Sequence, residues 1–201
     1  MPTELLDRPA FDQALSDAPT SGPVTLALVD LDHFATINQR HGTDVGDTVL
    51  RRVERALLGS LPPETTVARI GGDEYAALFP DHTAESALIL MEEVRAHLAQ
   101  PRPDETPAAI SLSIGLATHP AHVEERADLV RAADTALSRA KRDGRGRVAI
   151  HVEERMVLKS NYYSKASLGR LAKLSAAEGR TEASLLREAL DDLIDRYRDR
   201  I

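Results

Sequence analysis

The chain reads as an α/β (α+β) protein with a small helical domain appended at its C-terminal end. Three observations predict this. Val24–Leu31 (VTLALVDL) is an unbroken apolar run ending in acids, the pattern of a strand buried on both faces. Beyond it, Val49, Leu50, Val53, Leu57 and Leu58 recur at helical spacing. Two more apolar runs, 67–70 and 75–79, bracket Gly71-Gly72-Asp73-Glu74 and read as a hairpin.

Taken in order, the first strand is of the parallel type, and open α/β sheets place their ligand crevice at the C-terminal ends of such strands. Asp30 and Asp32 stand at that end. Phe34, Asn38, Gly42, Gly46 and Asp47 follow, on a turn and a helix start. In the hairpin, Asp73 and Glu74 lie on the exit strand, whose alternation points them to opposite faces. The glycines allow a ligand close to the backbone. Carboxylates at such a turn suit Mg²⁺ and the phosphates it carries. Asp30 and Asp73 are therefore expected to meet across neighbouring strands and hold Mg²⁺ together. Pro62-Pro63 and Pro101-Arg102-Pro103-Asp104 mark loops.

From residue 153 the pattern changes. Residues 155–163 (RMVLKSNYY) are compatible with a short strand. Leu168, Leu171 and Leu174 are spaced for a helix, which Gly179 ends as a C′ glycine. Thr181 is a good N-cap for a second helix with Leu185, Leu186, Ala189, Leu190, Leu193 and Ile194 on one face. So short a segment cannot bury a core of its own and needs a partner copy. The expected domains are 1–152 and 153–201.

Composition narrows the class. The 201 residues carry 25 basic and 32 acidic side chains, for a net charge of −7. Residues 155–201 hold 10 basic and 7 acidic, or +3, so the remainder carries −10. An acidic body with a mildly basic tail fits a local nucleic-acid contact. There is no cysteine, which excludes disulfides, thiol catalysis and cysteine zinc sites. Aromatic content is 3%, so the core must rest on Leu, Val, Ile and Ala. No apolar run is long enough for a membrane span and no signal peptide is visible, which leads to the expectation of a soluble cytoplasmic protein.

The series Asp30-Leu31-Asp32-His33-Phe34, Asn38, Gly42, Gly46-Asp47, Arg69-Ile70-Gly71-Gly72-Asp73-Glu74-Tyr75, Ser113-Ile114-Gly115, Ala133-Asp134, Lys141 and Gly144-Arg145 resembles the GGDEF domain of diguanylate cyclases. Leu6-Asp7-Arg8-Pro9-Ala10-Phe11 is similar to a shortened form of that family's opening helix. The resemblance runs from about residue 5 to residue 150. It implies a nucleotidyl-cyclase-like fold, a central sheet flanked by helices. It implies that Asp30, Asp73 and the Leu31 carbonyl hold Mg²⁺ brought with GTP. Asn38 and Asp47 would bond the guanine edge, with Phe34, Gly71 and Gly72 completing the nucleotide site. Lys141 and Arg145 would contact phosphates. Asp73 and Glu74 would be the catalytic carboxylates, Glu74 supporting the turn and the metal–phosphate chemistry. Two domains, each with one GTP, would face each other, and each 3′-hydroxyl would attack the other's α-phosphate.

Four positions depart from the family pattern. Ala35 stands for its Lys, Gln39 for its Asp, Thr43 for its His and Tyr75 for its Phe. The Arg-x-x-Asp of the family's inhibitory product site is replaced by Pro62-Pro63-Glu64-Thr65. These changes bear on turnover more than on nucleotide binding.

The tail, most tellingly Gly179-Arg180-Thr181-x-x-Ser184-Leu185-Leu186-Arg187-Glu188-Ala189-Leu190, resembles the ribbon-helix-helix family of DNA-binding proteins. That resemblance implies a homodimer whose paired strands enter the major groove of double-stranded DNA, with Lys159 and Asn161 outward and Leu158 inward. Thr181 and Ser184 would sit where the second helix meets phosphates. A helical dimerisation tail without a DNA role is the other reading. Two functions follow. Almost nothing precedes the cyclase-like domain, so it is expected to be its own sensor, making the protein a transcriptional regulator responsive to cyclic di-GMP or GTP. The alternative is an active diguanylate cyclase dimerised by its tail.

Overall fold

The computed structural model describes residues 4–19, 21–102, 109–152 and 162–197. The chain divides into two compact units, Met1–Glu154 and Arg155–Ile201.

The first unit is a six-stranded sheet in the order β1-β3-β4-β2-β5-β6, with helices on both faces. Its strands are β1 (Leu5–Leu6), β2 (Val24–Leu31), β3 (Thr66–Arg69), β4 (Glu74–Pro80), β5 (Leu112–His119) and β6 (Val148–Ile150). Its helices are α1 (Arg8–Asp17), α2 (Phe34–His41), α3 (Thr43–Ser60), α4 (Ala84–Ala99) and α5 (Leu129–Arg142). Asp7 starts α1 by accepting the Ala10 amide at 3.0 Å. Gly42, at φ 86°, lets the chain turn from α2 directly into α3.

β2 is the central strand, and it corrects the parallel reading. It runs antiparallel to both neighbours, β4 and β5. Its apolar run is continuous because helices cover both faces, and burial rather than strand direction is what removes the polar alternation. Ala27, Val29 and Leu31 pack with α3 and α4, while Leu26 and Leu28 pack with α1 and α5. The parallel pairs are at the edges, β1 with β3 and β5 with β6.

The second unit contains α6 (Lys165–Glu178) and α7 (Glu182–Arg196). Ser164 caps α6 by accepting the Ser167 amide at 3.0 Å. Gly179 ends it in the left-handed region at φ 64°, as its C′ role requires. Thr181 Oγ1 then accepts the Ser184 amide at 3.2 Å and opens α7. None of the described residues of this unit is buried. The expected ribbon strand, with Leu158, Lys159 and Asn161, lies mostly outside the described residues. Tyr162 and Tyr163, at its end, are not in a strand. Among the described residues, no helix is long and apolar enough to cross a membrane.

Candidate active site

The carboxylates gather where β2 ends beside the β3–β4 turn. Asp30 is the register partner of Glu74 on one side and Ser113 on the other. One residue later, the Leu31 amide donates to the Asp73 carbonyl at 3.1 Å, tying the two acidic segments together. The turn also corrects an expectation. β4 begins at Glu74, so Asp73 belongs to the turn and the two carboxylates are not simple alternating neighbours on a strand. The amides of Ile70 and Gly71 both donate to the Glu74 carbonyl, at 2.9 and 3.2 Å, closing a loop over residues 71–73.

The glycines of that loop are needed for space more than for unusual dihedrals, since neither has positive φ. A Cβ on Gly71 would lie 2.7 Å from Glu74 Oε2, so the Glu74 side chain folds back over this position. Nothing lies within 4 Å of a Cβ built on Gly72, which leaves that backbone open to a ligand. Arg69 braces the turn by donating to the carbonyls of Gly71 (3.3 Å) and Gly72 (2.6 Å). Its guanidinium also reaches Glu54 at 3.4 Å and lies over the Tyr75 ring. Tyr75 is fully buried and its hydroxyl donates to Glu54 Oε1 at 3.2 Å, so the extra oxygen relative to Phe is satisfied. Burial, together with the nearby Glu54 carboxylate, pushes its phenol well above the ordinary range.

Lys141, in the last turn of α5, donates to Asp30 Oδ2 at 2.7 Å. Burial pushes the Asp30 carboxyl above its ordinary value against the pull of Lys141, and neighbouring Asp73 and Asp32 push it the same way. Crowded carboxylates that hold an ammonium are a site that wants positive charge. The reach of Lys141 is set by Gly115. A Cβ there would sit 2.2 Å from both the Ala133 carbonyl and the Leu137 amide, so α5 lies directly on the β5 backbone. This gives Gly115 and Ala133 a packing role.

Asp32, 5% exposed, does something else. Its carboxylate accepts from Ser111 Oγ and Ser113 Oγ, each at 2.7 Å, and from the Gly146 amide at 3.0 Å. It thereby fastens the turn after α5, in which Gly144, Arg145 and Gly146 all have positive φ. Arg145 Nε is 3.9 Å from Asp32, with half of its side chain in solvent. Sequence reasoning missed this anchoring by Asp32 and Ser111 and the bracing by Arg69. In the sequence Asp32 is marked only as a second acid at the end of the strand, and nothing local marks Ser111.

On α2 and α3, Asn38 faces Gly46 closely. A Cβ on Gly46 would lie 1.8 Å from Asn38 Oδ1 and 3.3 Å from the Phe34 ring. That amide oxygen is buried without a hydrogen-bond partner. Asp47, one residue beyond Gly46, is exposed. Ala35, Gln39 and Thr43 are exposed as well, so the departures there do not disturb the packing. Thr181 and Ser184 belong to the second unit, where they cap α7, and the Ser184 hydroxyl accepts from Arg180 at 3.1 Å.

Comparison with known proteins agrees with this geometry. The family described as diguanylate cyclase, GGDEF domain, matches residues 3–147, stopping short of the second unit. The chain is 35% identical over 127 residues to the probable diguanylate cyclase DgcC of Escherichia coli, covering 63% of this chain and 34% of that protein. Diguanylate cyclase TpbB of Pseudomonas aeruginosa is 35% identical over 152 residues, 72% of this chain and 35% of TpbB. The chain thus spans about a third of the length of these relatives. The crystal structure of the TpbB GGDEF domain superposes with a TM-score of 0.67 at 34% identity, covering 74% of this chain and 98% of that one. The GGDEF domain of DgcB from Caulobacter crescentus, solved in complex with cyclic di-GMP, gives 0.65 at 32% identity over 74% and 92%.

Proposed function

Because the chain belongs to the GGDEF-domain family of diguanylate cyclases, we propose that its first unit binds GTP and joins two GTP molecules into cyclic di-GMP. The observation that carries this is the acidic end of β2, stitched to the turn by the Leu31–Asp73 hydrogen bond and holding the Lys141 ammonium. Relatives named as cyclases favour this reading over that of a nucleotide-responsive DNA-binding regulator.

In this reading the orphaned Asn38 amide oxygen and the exposed Asp47 carboxylate accept from the N–H groups of guanine. A buried acceptor without a partner is costly, and a base edge removes that cost. Asp30, Asp73 and the Leu31 carbonyl fit a divalent cation, the chemistry of the set being hard oxygen donors already neutralised by an ammonium. Among the described residues, no group of three or more acidic or imidazole side chains converges. Two carboxylates and a carbonyl would suit Mg²⁺, which keeps several waters and takes further ligands from phosphate. When bound with GTP, Mg²⁺ neutralises charge on the phosphates and lowers the pKa of the attacking hydroxyl. Lys141 passes from Asp30 to a phosphate oxygen, and Arg145, exposed beside it, contacts the same group. Glu74, folded over Gly71, steadies the turn whose backbone is open at Gly72. The 3′-hydroxyl of one GTP would release its proton to solvent and bond the α-phosphorus of the other as the α–β phosphoanhydride bond breaks and pyrophosphate leaves, and the reciprocal step would close the ring.

The test is incubation of purified protein with GTP and Mg²⁺, followed by chromatography for cyclic di-GMP. The double variant Asp30→Asn, Asp73→Asn should form none and lose Mg²⁺-dependent GTP binding in calorimetry. Unchanged Mg²⁺-GTP affinity in that variant refutes the site.

A further inference from the structure

The turn that carries Asp73 is fastened on two sides. On the β2 side the Leu31 amide donates to the Asp73 carbonyl at 3.1 Å. On the α3 side the Arg69 guanidinium donates through Nε to the Gly71 carbonyl at 3.3 Å and through Nη2 to the Gly72 carbonyl at 2.6 Å. Its third nitrogen, Nη1, donates to Glu54 Oε1 at 3.4 Å. The same oxygen accepts the Tyr75 hydroxyl at 3.2 Å. Glu54 lies on α3, seven residues after Asp47, and two helical turns return it to the side of the helix that carries Asp47.

A guanidinium on a long stem holds two carbonyls in one geometry only when its own plane is fixed. The Arg69 side chain is 36% exposed, so water competes for it. Glu54 gives it a charged acceptor on a long, well-packed helix, and the Tyr75 ring, 5.9 Å away, gives it a flat face. Tyr75 is fully buried, so its hydroxyl holds the Glu54 carboxylate in place in turn. Residues of α3, β3 and β4 thereby form one strut between the helix bearing Asp47 and the turn bearing Asp73.

We infer that Glu54 is a positioning residue of the nucleotide site: acting through Arg69, it fixes the 71–73 turn relative to α3, so that Asp73 is presented to a cation from a rigid backbone. The hydroxyl by which Tyr75 departs from the family's Phe serves this strut and touches no substrate. The consequence for rate rests on the cyclase reading. A ligand misplaced by about 1 Å costs up to about 10²-fold in rate, and a turn that keeps its Leu31 tie should lose less, about tenfold.

The experiment uses the full chain as Glu54→Ala, Arg69→Ala and the two together. Glu92→Ala, which breaks the 2.7 Å Arg95–Glu92 pair on α4, is the control for loss of any partly exposed ion pair. Cyclic di-GMP formation is followed over GTP and Mg²⁺ series, GTP binding by calorimetry over the same Mg²⁺ series and in chelator, and folding by thermal unfolding. Glu54→Ala should lower kcat about tenfold and raise the Mg²⁺ needed for half-maximal GTP binding about threefold, with GTP affinity in chelator unchanged. The double variant should be no worse than Arg69→Ala alone, because Glu54 works through Arg69. The control should match wild type in rate and in Mg²⁺ dependence. Losses that multiply in the double variant overturn the inference, as does a Glu54→Ala protein that unfolds earlier yet keeps the wild-type Mg²⁺ dependence. If wild type binds Mg²⁺-GTP but makes no cyclic di-GMP, the cyclase reading falls, and the calorimetric series still decides the role of Glu54.

Discussion

β2 and α7 both present apolar side chains that need cover, yet one is sealed and the other open. Every apolar side chain of β2 is buried, from Val24 to Leu31. In α7, Leu190 is 55% exposed. The difference lies in what the rest of the chain supplies. β2 has α3 and α4 on one face and α1 and α5 on the other. Among the described residues, the unit containing α7 has only α6 to offer. Apolar periodicity therefore declares which face must be covered, and only chain length and topology decide whether the cover is in the same molecule.

The strongest way to break this contrast is to truncate one leucine on each side. Leu116→Ala, in fully buried β5, should destabilise the first unit by about 2–5 kcal/mol. Leu190→Ala should leave that unit's unfolding within about 0.5 kcal/mol. Denaturant unfolding at two protein concentrations reads both, and only transitions that depend on α7 should move with concentration. Equal losses in the first unit would show that α7 packs as core.

Next in size is Asp32→Ala, which strands the Ser111 and Ser113 hydroxyls and the Gly146 amide. A loss of about 2 kcal/mol is expected, together with weaker phosphate contact by Arg145. Asp32→Ala binding GTP as well as wild type would separate the 143–147 turn from the nucleotide site.

A smaller effect tests the site without disturbing the fold. In Gly46→Ala the new methyl displaces the Asn38 side chain, while the helical position gains up to about 1 kcal/mol of propensity. Stability should hold and GTP affinity should fall roughly tenfold, about 1.4 kcal/mol. Preserved affinity for GTP over ATP would remove Asn38 from base recognition.

The smallest effect is a pH dependence at the opposite end of the sheet. His122 Nδ1 accepts the Thr118 amide at 3.0 Å, which requires the uncharged nitrogen. Burial first, and then neighbouring His151, hold its pKa below the ordinary histidine value. The folded state therefore binds fewer protons than the unfolded state in that window. Stability is fully present above the ordinary histidine pKa and is lost as pH falls below it. His122→Asn, whose side-chain oxygen can accept in place of Nδ1, should flatten that limb in thermal unfolding between pH 7 and pH 5. An unchanged slope assigns the dependence to other groups.

Much of the first unit was legible because its signals are local. The β2 run, the α3 spacing and the glycine turn each declare themselves within a few residues. Ser113, Gly115, Lys141 and Arg145 stood in the motif series, and the structure gives physical reasons for several of them. Other elements left weaker traces. β1 is two residues long and β6 three, and both exist because a neighbouring edge lends them hydrogen bonds. In the tail, the capped helices and the Gly179 stop were readable for the same local reason, while Lys159 and Asn161 lie outside the described residues.

By itself, the sequence determined which faces are apolar, where the turns fall and that acids cluster near a glycine loop, since periodicity, capping and turn chemistry act over short separations. Tertiary structure decided the rest. It set the antiparallel direction of β2, the tie between Leu31 and Asp73, the pairing of Lys141 with Asp30 and the burial of Asp32 under two serines. Each of these joins residues far apart in the chain, up to 111 positions for Lys141 and Asp30. The energy of such contacts depends on distance and desolvation after the chain has closed, and no local pattern encodes either.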